Sequence, residues 1–283
     1  MSEDEVFVLL ASAVIALIGW IAWYSRLLMA NRIGRERSST RRTLALAPLV
    51  CLAGLFALLR LAASFDVRND PVYLAFYMVF GAAWVVPGRA LFSLLGISWR
   101  DDALERRNPA AAWAVAGALA GLMACYAGAN IGDGPGWWCV LFAGGLGSAV
   151  WFVAWAVVQK AGGLAEAVTV ERDVDAGIRL GAFLLAAGLL CGRGAAGDWT
   201  SAERTVVEFA DAWPLLPLVL GAAVVERLAV AERRRAPRRL TALAPAWLLT
   251  VLYIGFAVIC LAVLPGPAEN PAYDSPPAGR TAP

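Results

Sequence analysis

The chain contains no histidine, and charged residues occupy only 16% of its 283 positions. The missing histidine removes the commonest general base and most zinc and haem ligand sets. A soluble domain carries roughly a quarter charged residues, so the shortage of charge excludes an ordinary water-soluble fold. The five cysteines (Cys51, Cys125, Cys139, Cys191 and Cys260) form no Cys-x-x-Cys pair and lie within or beside apolar runs. They read as small hydrophobes, not as a metal or redox centre. The chain lacks a nucleophile elbow, a Walker-type glycine loop and a zinc-protease helix. No acid pair lies deep in an apolar run, which argues against a proton relay at mid-membrane. The expectation is a non-enzymatic protein with no catalytic, cofactor or metal site.

What the chain has instead is apolar length. Hydrophobic residues make up 60% of it. Runs of about twenty recur throughout, too many for a single signal or anchor. Glu3, Asp4 and Glu5 give the N-terminus the wrong sign for a secretory signal, so the first run is expected to stay in the mature protein. Periodicity and bounding charge predict eight transmembrane helices over 6–27, 43–64, 71–95, 109–129, 136–159, 176–196, 213–230 and 241–264. The fold class is therefore all-α, a polytopic membrane protein of four parallel hairpins.

Charge alternates between the connections. Nineteen of the 24 Lys and Arg fall on one side, and the other side holds only Arg60, Arg68, Arg193, Arg204 and Arg280. The positive-inside rule places the basic side in the cytoplasm and both termini outside. A net charge of +2 gives no sign of nucleic-acid binding. The lipid bilayer is the first partner expected, and a homo-oligomer or another membrane or cytoplasmic protein the second. On the outer side, Thr200 and Glu203 fit a capping box ahead of a short interfacial helix anchored by Trp199 and Trp213. The tryptophans near helix ends read as an interfacial belt, and the Pro/Ala-rich tail from Gly266 as disordered.

A shift of 66 residues superposes Phe76 on Phe142, Gly81 on Gly147, Glu105-Arg106 on Glu171-Arg172 and Cys125 on Cys191. A weaker echo relates Arg41-Arg42…Pro48 to Arg238-Arg239…Pro245, each a helix with proline in its early turns. These matches predict two parallel copies about a pseudo-two-fold axis along the membrane normal. The division is an N-terminal hairpin (1–70), a first repeat (71–131), a second repeat with the interfacial helix (132–212), a C-terminal hairpin (213–265) and the tail (266–283).

The candidate functional positions are Asn108, Asp175, Arg179, Arg193, Asp198 and Arg60. Asn108 and Asp175 suit helix N-caps at the basic entrances. Arg179 stands just past the second basic entrance. Arg193 and Arg60 lie near outer helix ends, where an arginine must snorkel or pair. Asp198, Asp133 and Asp66 are the acids expected to take them, with an outward anion or headgroup site as the functional alternative. Gly117-x-x-x-Gly121 and Gly188-x-x-x-Gly192, with Gly128 and Gly194, form small-residue faces for close helix packing or for lining a narrow pathway.

Asn108-x-Ala110-x-Ala112 with Gly117, Gly121 and Gly128 resembles the helix signature of the YjfL-like bacterial inner-membrane proteins, domain of unknown function 350. The resemblance returns at Asp175-Ala176-Gly177-Ile178-Arg179-Leu180-Gly181, at Arg193…Gly197-Asp198-Trp199-Thr200-Ser201 and at Trp213-Pro214. It covers roughly 71–216 and departs at Asp175, where that family usually has asparagine. It implies tandem hairpin repeats in a bacterial inner membrane, with no established catalytic residues. The expected function is an envelope-associated scaffold or stress module. The alternative is a channel or transporter for an ion or small solute through the centre of helices three to six.

Overall fold

In lipid every backbone N–H and C=O must be satisfied within the segment, so apolar runs of this length become helices. The computed structural model describes residues 1–33, 39–235 and 245–273. Its helices are α1 (Glu3–Ile33), α2 (Ser39–Ala62), α3 (Phe65–Asn69), α4 (Pro71–Leu91), α5 (Pro109–Gly128) and α6 (Trp137–Gly162). They continue with α7 (Leu164–Thr169), α8 (Val174–Ala195), α9 (Ala202–Glu208), α10 (Leu215–Arg235) and α11 (Ala246–Val263). Seven of these, α1, α2, α4, α5, α6, α8 and α11, are long and apolar enough to cross a membrane. The segment from α9 into α10, bent by 48°, makes an eighth if counted as one span. The architecture is all-α.

Local chemistry sets the helix starts. Asp70 caps α4 by accepting from the Val72 N–H at 2.7 Å, and Pro71 follows it where its missing N–H is harmless. Asn108 and Pro109 repeat the arrangement at α5. Gly163 ends α6 in the left-handed conformation at φ 55°. Pro48 departs from its expected early-turn place. Helix α2 begins at Ser39, so Pro48 lies well inside it.

The chain start and the residues just after α11 lie at one end of the bundle. Tyr73 donates to Glu5 (3.2 Å) and Trp137 to Asp4 (2.9 Å), which joins the chain start to the starts of α4 and α6. The Asp198 N–H donates to the Ala268 carbonyl at 2.8 Å, so the residues after α11 reach the same end. This end carries Asp66, Asp70, Asp133, Asp198 and Asp211. Arg100, Arg106, Arg107, Lys160, Arg172 and Arg179 gather at the other. The two connections richest in arginine fall largely at 34–38 and 236–244, outside the described residues.

Helices α5 and α8 run side by side through the centre. In each, 72% of the apolar window is buried, against 22–28% for α1, α2 and α11. Around this pair, α1 packs mainly on α4, α2 on α5, α10 on α6 and α11 on α8. The outer helices therefore dock on central ones more than on their chain neighbours. The tryptophans divide between surface and core. Trp213 is exposed as a belt residue should be, but Trp23, Trp151 and Trp155 are fully buried and fill space between helices.

Two expectations near the acidic end need correction. The α9 cap is Ser201, whose hydroxyl accepts from the Arg204 N–H at 3.1 Å, and not Thr200. Trp199, half-buried, packs edge-on against Trp138 and Phe142 of α6. The tail is also ordered further than expected. Through Tyr273 it is held by a bridge between Gly197 and Ala268 and by Asn270. Residues 274–283, the rest of the expected disordered segment, lie outside the described residues.

Candidate functional site

The predicted glycine faces meet at the joint between α5 and α8. A methyl on Gly117 would strike the Gly181 backbone, one on Gly128 the Gly192 backbone, and one on Gly188 the Gly121 backbone. These are backbone-to-backbone contacts, which only residues without a Cβ permit. They supply the dispersion that association in lipid depends on. Gly177 and Gly181 belong to the same surface, against Ala110 and Trp113. The expected set omitted both from its packing face, although their four-residue spacing continues that of Gly188 and Gly192. Gly194 points elsewhere, against Ala212 and Phe209 of the short turn after α9.

Polar groups close the joint at the basic end. Asn108 is fully buried; its Oδ1 accepts from the Ala110 and Ala111 N–H groups at 3.0 and 3.4 Å. Its Nδ2 donates to the Val168 carbonyl at 2.6 Å, tying α5 to α7. Asp173, not Asp175, caps α8, accepting from the Ala176 N–H at 3.1 Å. Asp175 falls in the first turn instead, where its charge faces the positive helix end. The residue before each cap, Arg107 or Arg172, is left-handed, with φ 52° and 57°. Arg172 crosses to donate to the Arg106 and Arg107 carbonyls at 2.8 and 2.9 Å.

Arg179 is not a surface topology residue. Its Nε and Nη2 form a two-point ion pair with Glu226 of α10 at 2.8 and 3.0 Å, both side chains being buried. Glu226 escaped sequence reasoning, which ran the seventh span over 213–230 without giving the acid inside it a partner. The available signal was two opposite charges, each within a turn or two of the basic end, with no other way to leave the hydrocarbon. Arg89 is a second buried cation. It donates to the Gly19 carbonyl at 2.8 Å and lies 5.3–5.5 Å from the ring centres of Trp20, Trp23 and Trp99.

At the acidic end Asp198 organises the loops. Its Oδ1 accepts from the Asp133 N–H at 2.7 Å and its Oδ2 from the Asn270 N–H at 2.8 Å. Gly132 and Gly197, at φ 109° and 141°, give the two loops the turns that let them lie against each other. Burial, then nearby Cys139, Asp198 and Asp133, raises the Tyr273 phenol above its ordinary range. The expected pairing of Arg193 with Asp198, Asp133 or Asp66 does not occur, because Asp198 is committed to backbone N–H groups. Arg193 instead meets Asp211 at 3.5 Å and the Pro265 and Gly266 carbonyls at 2.6 and 3.1 Å. Among the described residues Arg60 has no acid partner either; it is exposed and donates to the Arg68 carbonyl at 2.9 Å.

Polar cavities occur at both ends. One of about 60 Å³ lies among Asn130, Asp133, Asp198 and Thr205. A second lies at Lys160, Glu166 and Glu171. At the depth between them Leu119, Leu122, Tyr126, Trp151 and Leu184 are all under 2% exposed. Trp151 donates to the Leu184 carbonyl at 2.8 Å, sealing α6 onto α8. No group of three or more His, Cys, Asp or Glu among the described residues could hold a metal.

Residues 43–195, more than half of the chain, match the family described as Domain of Unknown Function (DUF350), as a single domain. No curated protein and no solved structure matches the chain.

Proposed function

The chain belongs to the DUF350 family, and from that premise we propose that it is a non-enzymatic scaffold of the bacterial inner membrane, a YjfL-like protein serving the cell envelope. The observation that carries this reading is the closed α5–α8 joint, glycine backbone against glycine backbone. Such a joint makes a stiff platform. The family match and a multi-pass bundle support the membrane setting, and the concentration of arginine at one end supports a cytoplasmic basic face.

The same reading includes tandem copies. Asn108 and Asp173, Arg107 and Arg172, and Gly132 and Gly197 perform matching local jobs. All are 65 apart (173 minus 108, and likewise), one short of the 66-residue shift. The parallel course of α5 and α8 is what a two-fold axis along the membrane normal requires.

The test is twofold. Crosslinking and pull-down from native membranes should recover a defined partner, either a second copy or another envelope protein. The purified protein in liposomes should show no ion or solute flux and no lipid or nucleotide turnover. Robust turnover, or flux that scales with protein, would overturn the reading. For orientation, a cytoplasmic reporter at Arg233–Arg235, the end of α10, should be active, and one in the 198–211 segment silent. A pathway through α4, α5, α6 and α8 would require α5 and α8 to part, and the filled layer at mid-depth gives that alternative no support.

A further inference from the structure

Helices α2 and α11 dock on α5 and α8 from the same side of the joint but leave an apolar groove between them, with a volume of about 390 Å³. Its floor is the small-residue surface of α5 and α8, including half-buried Ala120, Ala124 and Leu189. Gly54 on α2 opens one wall, with nothing within 4 Å of where a Cβ would stand. At the acidic end the lining changes character, because Arg193 sits there, 8% exposed.

We propose that this groove holds one acyl chain of a glycerophospholipid whose phosphate is bound by Arg193. Length selects the occupant. The lining runs from Val50 to Leu58 on α2 and from Leu185 to Arg193 on α8, about 12 Å at 1.5 Å per residue. That is close to half of a ~30 Å hydrocarbon core, one leaflet deep and too short to seat a transmembrane helix along its length. Charge selects the head. All three Arg193 hydrogen bonds use Nη2, and among the described residues Nε and Nη1 make none. Its acidic contact among the described residues, Asp211 at 3.5 Å, is half exposed. A buried cation at the mouth of an apolar trough, at the level where headgroups begin, matches a molecule with an anionic phosphate and an apolar tail. The assignment is independent of the scaffold reading, since a transporter or an enzyme could equally carry a structural lipid.

The experiment uses the full chain in nanodiscs with limiting phosphatidylglycerol, and separately with chain-matched diacylglycerol, read by native mass spectrometry. Wild type should retain one phosphatidylglycerol. G54L sends a side chain into the groove from a position where the Cβ itself meets nothing within 4 Å, and should weaken retention at least tenfold. G145L, on α6 where a Cβ also meets nothing within 4 Å, should not. R193Q keeps donors for the Pro265 and Gly266 carbonyls, and should reduce phosphatidylglycerol to the level of diacylglycerol. Equal retention by wild type, G54L and G145L would overturn the proposal. So would wild type holding diacylglycerol as tightly as phosphatidylglycerol, or a dimer in wild type that G54L alone dissociates.

Discussion

Replacing Gly188 by alanine adds one methyl at one of the tight backbone contacts of the α5–α8 joint. The new Cβ would stand well inside 3.0 Å of the Gly121 backbone, a separation that real Cβ atoms essentially never show. The obstacle is main chain, so no rotamer change relieves it, and the helices must part by on the order of 1 Å. Overpacking costs about 1–3 kcal/mol, and the rigid case belongs at the upper end. Separation also surrenders dispersion along the joint, and lipid offers no hydrophobic compensation. Against this stands a gain of up to ~1 kcal/mol in helix propensity for Gly→Ala. The net expectation is a loss of about 2 kcal/mol. G54A is the control, because it has the same propensity gain and open space around the methyl, and it should be neutral or slightly stabilising. Equilibrium unfolding of purified protein in mixed micelles, titrated with a denaturing detergent, should separate the two variants by about 2–3 kcal/mol. If G188A is as stable as G54A, the α5–α8 joint is not a backbone-to-backbone contact, and the platform argument fails with it.

Glu226→Gln strands the buried Arg179 guanidinium and should cost about 3–5 kcal/mol, whereas Arg179→Met with Glu226→Leu should recover most of it, as a double-mutant cycle would show. Asp198→Ala removes the acceptor for the Asp133 and Asn270 N–H groups. Hydrogen exchange at those two amides should accelerate at least tenfold, and protease should cut the segment after Pro265 faster. Asn108→Asp keeps the α5 cap but loses the Nδ2 donor and places a carboxylate against the Val168 carbonyl. It should destabilise by about 1–3 kcal/mol, while the same exchange at the exposed Asn69 should do little.

The spans were legible because twenty-residue apolar runs bounded by charge have one solution in lipid. The central pair was legible because glycines four apart on a transmembrane helix invite another backbone. Asn108 was legible as a cap from its place before Pro109. What escaped was the pairing of polar residues far apart in sequence. Arg179 finds Glu226 47 residues further along the chain, on α10. Arg193 was offered nearby aspartates, but Asp198 answers two backbone N–H groups from the loops around it, and a backbone donor leaves no sequence signature. The cap of α8 slipped from Asp175 to Asp173 for a local reason. The Asp173 N–H reaches back to the Ala167 carbonyl, closing the α7 turn so that the cap falls two residues before Asp175.

The polar contacts also decide how the central joint can move. A glycine seam alone has little register, since one helix sliding a turn, ~5.4 Å, would find similar small residues. Here the two ends pin it. At one end Asn108 grips the Val168 carbonyl and Arg172 the carbonyls before Asn108. At the other, the Gly197 N–H donates to Ile131 and the Trp199 N–H to Asp133, each joining the loop after α8 to the loop after α5. A slide of one turn would break all of these together, several at buried positions where an orphaned polar group costs about 1–3 kcal/mol. Movement between α5 and α8 would therefore have to begin with release at an end, and the Arg179–Glu226 pair ties α8 further to α10 at the basic one. A joint so pinned transmits force between the two faces of the membrane better than it opens a path through it, and that is the mechanical property a scaffold needs.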